Sequence, residues 1–173
     1  MERVAELFAN GADKVVVNTE LIRNKSFARE IAGCYGSQAL VASIDAKMEN
    51  GEHFVYINRG RDATGLTAVE WAKEVESLGA GEILLTSIDQ DGQKDGYDLD
   101  LMGKVSAAIK IPVIAFGGIQ NFNDMVQCLN TTGVDAVAAG NVFHYFEQST
   151  RKAKRTLIDA GVDTRVPNNY FKY

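Results

Sequence analysis

Apolar residues fall into two alternating kinds of segment along the chain. Five short runs are almost continuously apolar: "DKVVVNT" (13–19), "ALVASID" (39–45), "GEILLTS" (81–87), "IPVIAFGG" (111–118) and "DAVAAGN" (135–141). Runs of this kind predict parallel strands covered on both faces, since a strand with one wet face alternates instead. Between them lie stretches of helical period, as in "TAVEWAKEVESLG", where Val69, Ala72, Val75 and Leu78 share a face while Glu70, Lys73, Glu74 and Ser77 fall elsewhere. The helical stretches close at glycines suited to a C-cap: Gly11, Gly36, Gly79, Gly133 and, after the last, Gly161. Helix alternating with buried strand predicts an α/β protein with right-handed crossovers. "NGEHFVYINRGRDATG" (50–65) breaks the rhythm, because aromatic and polar residues alternate there between turn signals. An extra β-hairpin or extended loop after the second strand is expected.

Five βα units fit either a doubly wound sheet or part of a (βα)8 barrel, and a complete barrel takes about 250 residues. The chain has 173, and "ERVAELFANG" is a helix with no strand ahead of it. The expected architecture is a single domain over 1–173, a piece of a larger barrel.

Composition narrows the function classes. With 46% hydrophobic and 24% charged residues, the chain can bury one core of moderate size. A net charge of -5 offers no attraction to nucleic acid or to an anionic membrane. The basic "RKAKR" (151–155) reads as a solvated helix face. No apolar run approaches the roughly 20 residues of a membrane span, and the N-terminus lacks the order of a signal peptide. Cys34 and Cys128 lie far apart without metal-ligand spacing and read as buried, reduced thiols, so a cytoplasmic location is expected.

In both architectures chemistry gathers beyond the carboxyl ends of the parallel strands. Those positions hold Asn18 and Thr19; Asp45 and Lys47; Thr86, Ser87, Asp89, Asp91 and Gly92; Gly117 and Gly118; Gly140 and Asn141. "FGGI" and "AAGN" put glycine where a loop turns into a helix, which lets an anion approach backbone N–H groups at the positive end of the helix dipole. A Gly-Gly turn is also plain turn chemistry. Asp45 either caps the turn that follows or serves as a general acid or base, and the two readings stand side by side on spacing alone. "SIDQDGQKDGYD" (87–98) holds four Asp but lacks the ligand spacing and terminal Glu of a calcium loop, so no metal is expected. His53 in the hairpin and His144, placed at the opening of the last helix, read as structural or exposed, and Trp71 as a packing group.

"NGADKVVVNTELI", "GSQALVASIDAK", "TGLTAVEWAKEVESLGAGEILLTSIDQDGQKDGYD", "IPVIAFGG" and "VFHYFE" together resemble the cyclase (synthase) subunit of imidazole glycerol phosphate synthase, over nearly the whole chain. The resemblance implies a (βα)8 barrel that takes ammonia from a glutaminase partner. It joins the ammonia to a phosphoribulosyl aminoimidazole-carboxamide, forming imidazole glycerol phosphate and an aminoimidazole carboxamide ribotide in histidine biosynthesis. It also implies that the chain holds strands four to eight, with the first three βα units absent.

On this resemblance Asp45 is a catalytic aspartate whose partner belongs to the missing first strand. Asn18, Gly140 and Asn141 hold one substrate phosphate; Asp91, Gly92 and Gly118 hold the other, with Gly117 alongside and Thr19 and Thr86 lining the mouth. Asp13, Lys14, Gln38 and Glu82, at strand beginnings, match the glutaminase docking surface and ammonia gate, although charges at a strand's start also simply solvate it. Neither a metal nor an organic cofactor is implied.

Three features depart from the family. Phe116 and Asn141 stand where small Ser residues are usual, and the tail "VDTRVPNNYFKY" is unusual. They look more like a paralogous branch of surface-polysaccharide (lipopolysaccharide) clusters, which delivers ammonia to a sugar to make an acetamidino group. A further expectation is that the chain alone is a catalytically incomplete, phosphate-binding fragment that self-associates through unpaired strand edges.

Overall fold

The computed structural model describes residues 1–144 and 149–166. Tyr145, Phe146 and Glu147 of the "VFHYFE" stretch, and 167–173 of the tail, lie outside the described residues. Helix α1 (Glu2–Ala9) leads into strand β1 (Val15–Val17), followed by α2 (Thr19–Arg23), α3 (Ser26–Tyr35), a short 3-10 turn (Ser37–Ala39) and β2 (Leu40–Glu49). The chain continues through β3 (Glu52–Ile57), β4 (Asp62–Thr67), α4 (Ala68–Ser77), β5 (Glu82–Ser87), α5 (Leu99–Ala108), β6 (Val113–Phe116), α6 (Phe122–Thr132) and β7 (Ala136–Val137). A second 3-10 turn (Asn141–His144) and α7 (Ser149–Asp159) complete it.

The strands form one mixed sheet in the order β4-β3-β2-β5-β6-β7, with β1 also paired to β2. The pairings β1·β2, β2·β5, β5·β6 and β6·β7 are parallel, whereas β2·β3 and β3·β4 are antiparallel. A parallel-dominated sheet with helical crossovers is the α/β architecture expected, and it is consistent with a TIM-barrel-like fold. Among the described residues β1 and β7 do not pair with each other.

Local signals in the sequence set the helix ends. Thr67 and Glu70 close a reciprocal capping box at the start of α4, and Asn121 and Asp124 do the same for α6. Gly133 closes α6 in the left-handed conformation, with φ of 74°, which a residue bearing a Cβ adopts only with strain.

The sheet's two faces differ, and here the sequence expectation needs correction. Ala42, Ile44 and Ala46 of β2, Ile83 and Leu85 of β5, and Val113 and Ala115 of β6 are fully or almost fully buried with Trp71, Val75, Leu101, Met102 and Cys128 from the helices. The alternate positions Ser43, Asp45, Leu84, Thr86, Ile114 and Phe116 are only half-buried, and Val16 on β1 is 58% exposed. One face is therefore packed and the other open, where near-continuous apolar runs predicted cover on both.

Strand lengths also differ. The runs 13–19, 111–118 and 135–141 contain strands of only three, four and two residues. β2 instead continues past Asp45 to Glu49, because its outer half pairs with β3. The inserted segment is thus larger than a hairpin: the outer part of β2, β3 and β4 form a three-stranded antiparallel meander. Cys128 is buried but Cys34 is exposed, since α3 buries Ala28 and Ile31 and Cys34 falls off that stripe. His144 ends the second 3-10 turn and does not open α7.

Trp71 is 1% exposed and sits at the centre of the helix-covered layer. Trp71→Ala is expected to lower the unfolding free energy by about 3–5 kcal/mol. Lys73→Ala, on the wet side of the same helix, should change it by less than about 0.5 kcal/mol. Urea denaturation of the two variants checks the difference.

Candidate functional site

Parallel register builds the site. β2, β5 and β6 are aligned so that Asp45 lies beside Thr86 and Thr86 beside Phe116, a row across the open face at the carboxyl ends of the strands. Asp45 caps no helix; it lies within β2 and is half-buried. Burial raises its pKa, and the negative charge of Asp91 acts in the same direction. Hydrogen bonds from the Asn18 and Thr86 side chains oppose that rise without cancelling it. A carboxyl group held above its ordinary range can exchange a proton nearer neutrality than a solvated Asp can.

Two cavities meet at this row. One, of about 340 Å³, is lined by Asp45, Thr86, Ile88 and Asp91 together with Arg59 and Gly60 from the β3–β4 turn. The other, of about 250 Å³, is lined by Asp91, Gly92 and Lys94 from one side and Gly117, Gly118, Gly140 and Asn141 from the other. Phe116 lines both. Glycine is required on the second wall. Gly118 has φ of 92°, and a Cβ there would run into the Gly96 carbonyl, while one on Gly117 would come within 2.9 Å of the Ser87 carbonyl oxygen. The Gly96 amide donates to the Gly118 carbonyl at 2.9 Å, tying the acidic 88–97 loop to the glycine turn. Bare backbone facing a small cavity is chemistry suited to an anion.

The sequence-derived residues divide differently from expectation. Gly140 and Asn141 share one cavity with Asp91, Gly92 and Gly118, whereas Asn18 stands beside Asp45. The reason is topological: β1, which precedes Asn18, lies on the far side of β2 from β5, β6 and β7. Thr19 lines neither cavity; its hydroxyl donates weakly to Asn18 Oδ1 at 3.4 Å and accepts from the Asn58 amide at 3.0 Å.

At the opposite ends of the strands Lys14 and Glu82 form an ion pair. Gln38 instead donates to the Tyr35 carbonyl at 3.0 Å, and Asp13 is exposed. The structure thus joins two of these four residues to each other.

Several contributors were not singled out from sequence. Arg59 sits in the β3–β4 turn, which carries no motif, and Lys94 in the acidic 87–98 segment beside Asp91 and Gly92. Asp98, which ends the acidic loop, binds three elements at once. Its carboxylate accepts from the Leu101 amide at 3.0 Å and from the Ser87 hydroxyl at 3.3 Å, and it pairs with His53 Nε2 at 2.9 Å. His53 is 1% exposed and buried between β3 and α5, so it is structural. Asp89, part of the calcium-like spacing, accepts the Met48 amide at 2.7 Å and thereby fastens the loop to β2. Among the described residues no group of three or more His, Cys, Asp or Glu could hold a metal ion, and no helix is long and apolar enough to cross a membrane.

The α/β sheet thus brings a carboxyl group of raised pKa and a glycine wall to the same rim, at its strand ends. Residues 1–149 match the family described as "Histidine biosynthesis protein". Similar curated proteins carry the name "Imidazole glycerol phosphate synthase subunit HisF". Those from Chlorobium phaeobacteroides and Chlorobium limicola are 43% and 44% identical over 166 residues, and that from Pyrobaculum aerophilum is 48% identical over 167 residues. Each alignment covers 96% of this chain but only 66%, 66% and 65% of those relatives, so the chain spans slightly less than two thirds of their length. The chain belongs to the histidine biosynthesis protein family.

The pKa of Asp98 is lowered: burial raises it, but the hydrogen bonds from His53, the Leu101 amide and Ser87, with the charge of His53, outweigh that. A depressed folded-state pKa contributes stability that is present above the ordinary carboxylate value and is lost as pH falls through the folded value. Asp98→Ala is expected to cost about 1–3 kcal/mol at neutral pH, because His53 and Ser87 lose a buried partner. It should also flatten the acid limb of the stability profile, read from urea midpoints between pH 7 and pH 3.

Proposed function

We propose that the chain carries the carboxylate and phosphate-cradling part of an ammonia-using cyclase of the imidazole glycerol phosphate synthase kind, acting in histidine biosynthesis. The half-buried Asp45, with its raised pKa, in a cavity that shares Asp91 and Phe116 with the glycine-walled one, is the observation that carries this reading. In it, Asp45 moves a proton on the substrate, while Thr86 and Asn18 hold the carboxyl group in place. Backbone N–H groups around Gly117, Gly118 and Gly140 receive a phosphate of the phosphoribulosyl substrate, with Asp91, Gly92 and Asn141 shaping the wall. Holding the substrate by its phosphate across Asp45 converts proton transfer into a step within a fixed geometry.

The parallel strands are, on this reading, the fourth to eighth of a (βα)8 barrel. The strand starts around Asp13, Lys14, Gln38 and Glu82 receive a glutaminase, and the Lys14–Glu82 pair gates ammonia toward Asp45 at the other end of β2. The family membership and the name carried by the relatives support this partner and this chemistry.

One observation favours a second reading. Phe116 lines both cavities, so a bulky ring stands at their boundary where the resemblance leads to a small Ser. That narrowing suits a substrate other than the imidazole precursor, such as a sugar that receives ammonia to form an acetamidino group in surface-polysaccharide synthesis.

In the full-length protein that this reading implies, with strands one to three present, Asp45→Asn is expected to lower kcat with ammonium as nitrogen donor by roughly 10²–10⁴-fold with little change in KM. Undiminished activity in that variant removes Asp45 from the mechanism. Offering both substrates separates the readings, since turnover of the imidazole precursor by the unaltered protein excludes the sugar assignment.

A further inference from the structure

The β3–β4 turn has an unusual backbone. Asn58, Arg59 and Gly60 take φ values of 53°, 63° and 72°, two of them on residues that carry a Cβ and enter this region with strain. The turn is held from three sides. The Asn58 amide donates to the Thr19 hydroxyl at 3.0 Å, Arg23 Nη2 donates to Asn58 Oδ1 at 3.0 Å, and the Asn58 side-chain amide donates to Asp62. Gly60 lies against Ile88, whose Cδ1 would be 3.2 Å from a Cβ at that position. A strained and fastened turn of this sort fixes where the intervening side chain emerges.

Arg59 emerges at the cavity that contains Asp45. Two carboxylates, Asp45 and Asp91, line the same cavity, yet among the described residues Arg59 has no ion-pair partner. Lys14, Lys25, Lys104 and Arg155 are all paired elsewhere on the surface. A guanidinium presents a planar fork of donors that matches the oxygens of a phosphate or carboxylate. Any anionic group entering this cavity meets repulsion from Asp45 and Asp91, and Arg59 is the cation placed to offset it.

We propose that Arg59 binds an anionic oxygen group of the substrate in the Asp45 cavity, so that the substrate spans the Phe116 ring between Arg59 and the glycine-walled cavity. This rests on the reading that the site takes a phosphorylated substrate. It adds a specificity residue delivered by the meander inserted between β2 and α4.

The test is a titration of the 173-residue chain with inorganic phosphate, followed by the amide resonances of Gly60 and Ile88 for one cavity and of Gly118 and Gly140 for the other. In the unaltered chain both sets are expected to shift. Arg59→Asn, which tolerates the left-handed backbone, and Arg59→Ala should weaken the Gly60 and Ile88 response roughly tenfold or more and leave the Gly118 and Gly140 response intact. Arg61→Ala should change neither, and an unmoved amide resonance of Thr19, whose hydroxyl anchors the turn, certifies that the turn is intact. An Arg59→Asn response equal to the unaltered chain overturns the proposal, as does silence of Gly60 and Ile88 toward both phosphate and acetate in the unaltered chain. A response to acetate alone upholds the anion site and assigns it a carboxylate. Silence of Gly118 and Gly140 with a response at Gly60 and Ile88 counts against the phosphate cradle and leaves Arg59 as the anion ligand.

Discussion

β2 must satisfy three strands at once, and the position of the site follows from how it does so. Its inner half pairs in parallel with β1, from Leu40 to Ala42, and its outer half pairs antiparallel with β3, from Asp45 to Glu49. Its other edge pairs with β5 from Val41 to Ala46. On one edge the partner changes between Ala42 and Asp45, and crevices that receive ligands form where a sheet changes direction in this way. Asp45 is the first residue past that change. Asn18, at the end of β1, and the β3–β4 turn can both reach it because each belongs to a strand on the same edge of β2.

The ends of the strands are secured by two side-chain ties and one backbone bond. Asp98 joins α5 to β5 and β3, Asp89 joins the acidic loop to β2, and the Gly96–Gly118 bond joins that loop to the turn after β6. Three of the four acidic residues in the 87–98 segment therefore have different duties: two are structural ties, while Asp91 faces both cavities. Raising the pKa of Asp45 costs folding stability once it is ionised, and such ties offset costs of that kind.

Much of this organisation was legible in the sequence, for physical reasons that can be named. Helix ends were marked by glycines such as Gly36 and Gly133, local signals that tertiary context did not override. The strand ends gave Asp45, Thr86 and the glycines, since parallel strands deliver their last residues to one rim. Strand length was misjudged in β2, where the alternation Asp45, Ala46, Lys47, Met48, Glu49 is the period of a half-wet strand and not a strand's end. Apolar runs were read as doubly covered because Leu84, Ile114 and Phe116 are apolar although only half-buried. Asp98 and Arg59 were missed because each acts through residues far away in sequence, 45 positions in the case of Asp98 and His53.

The alternation along β2 separates two kinds of inheritance in one strand. Ala42, Ile44 and Ala46 answer to the helices that pack on them, while Ser43, Asp45 and Lys47 lie on the half-buried face, where Asp45 lines a cavity. Replacing the outward set leaves the packed layer undisturbed, so the two faces of this one strand can vary independently of each other.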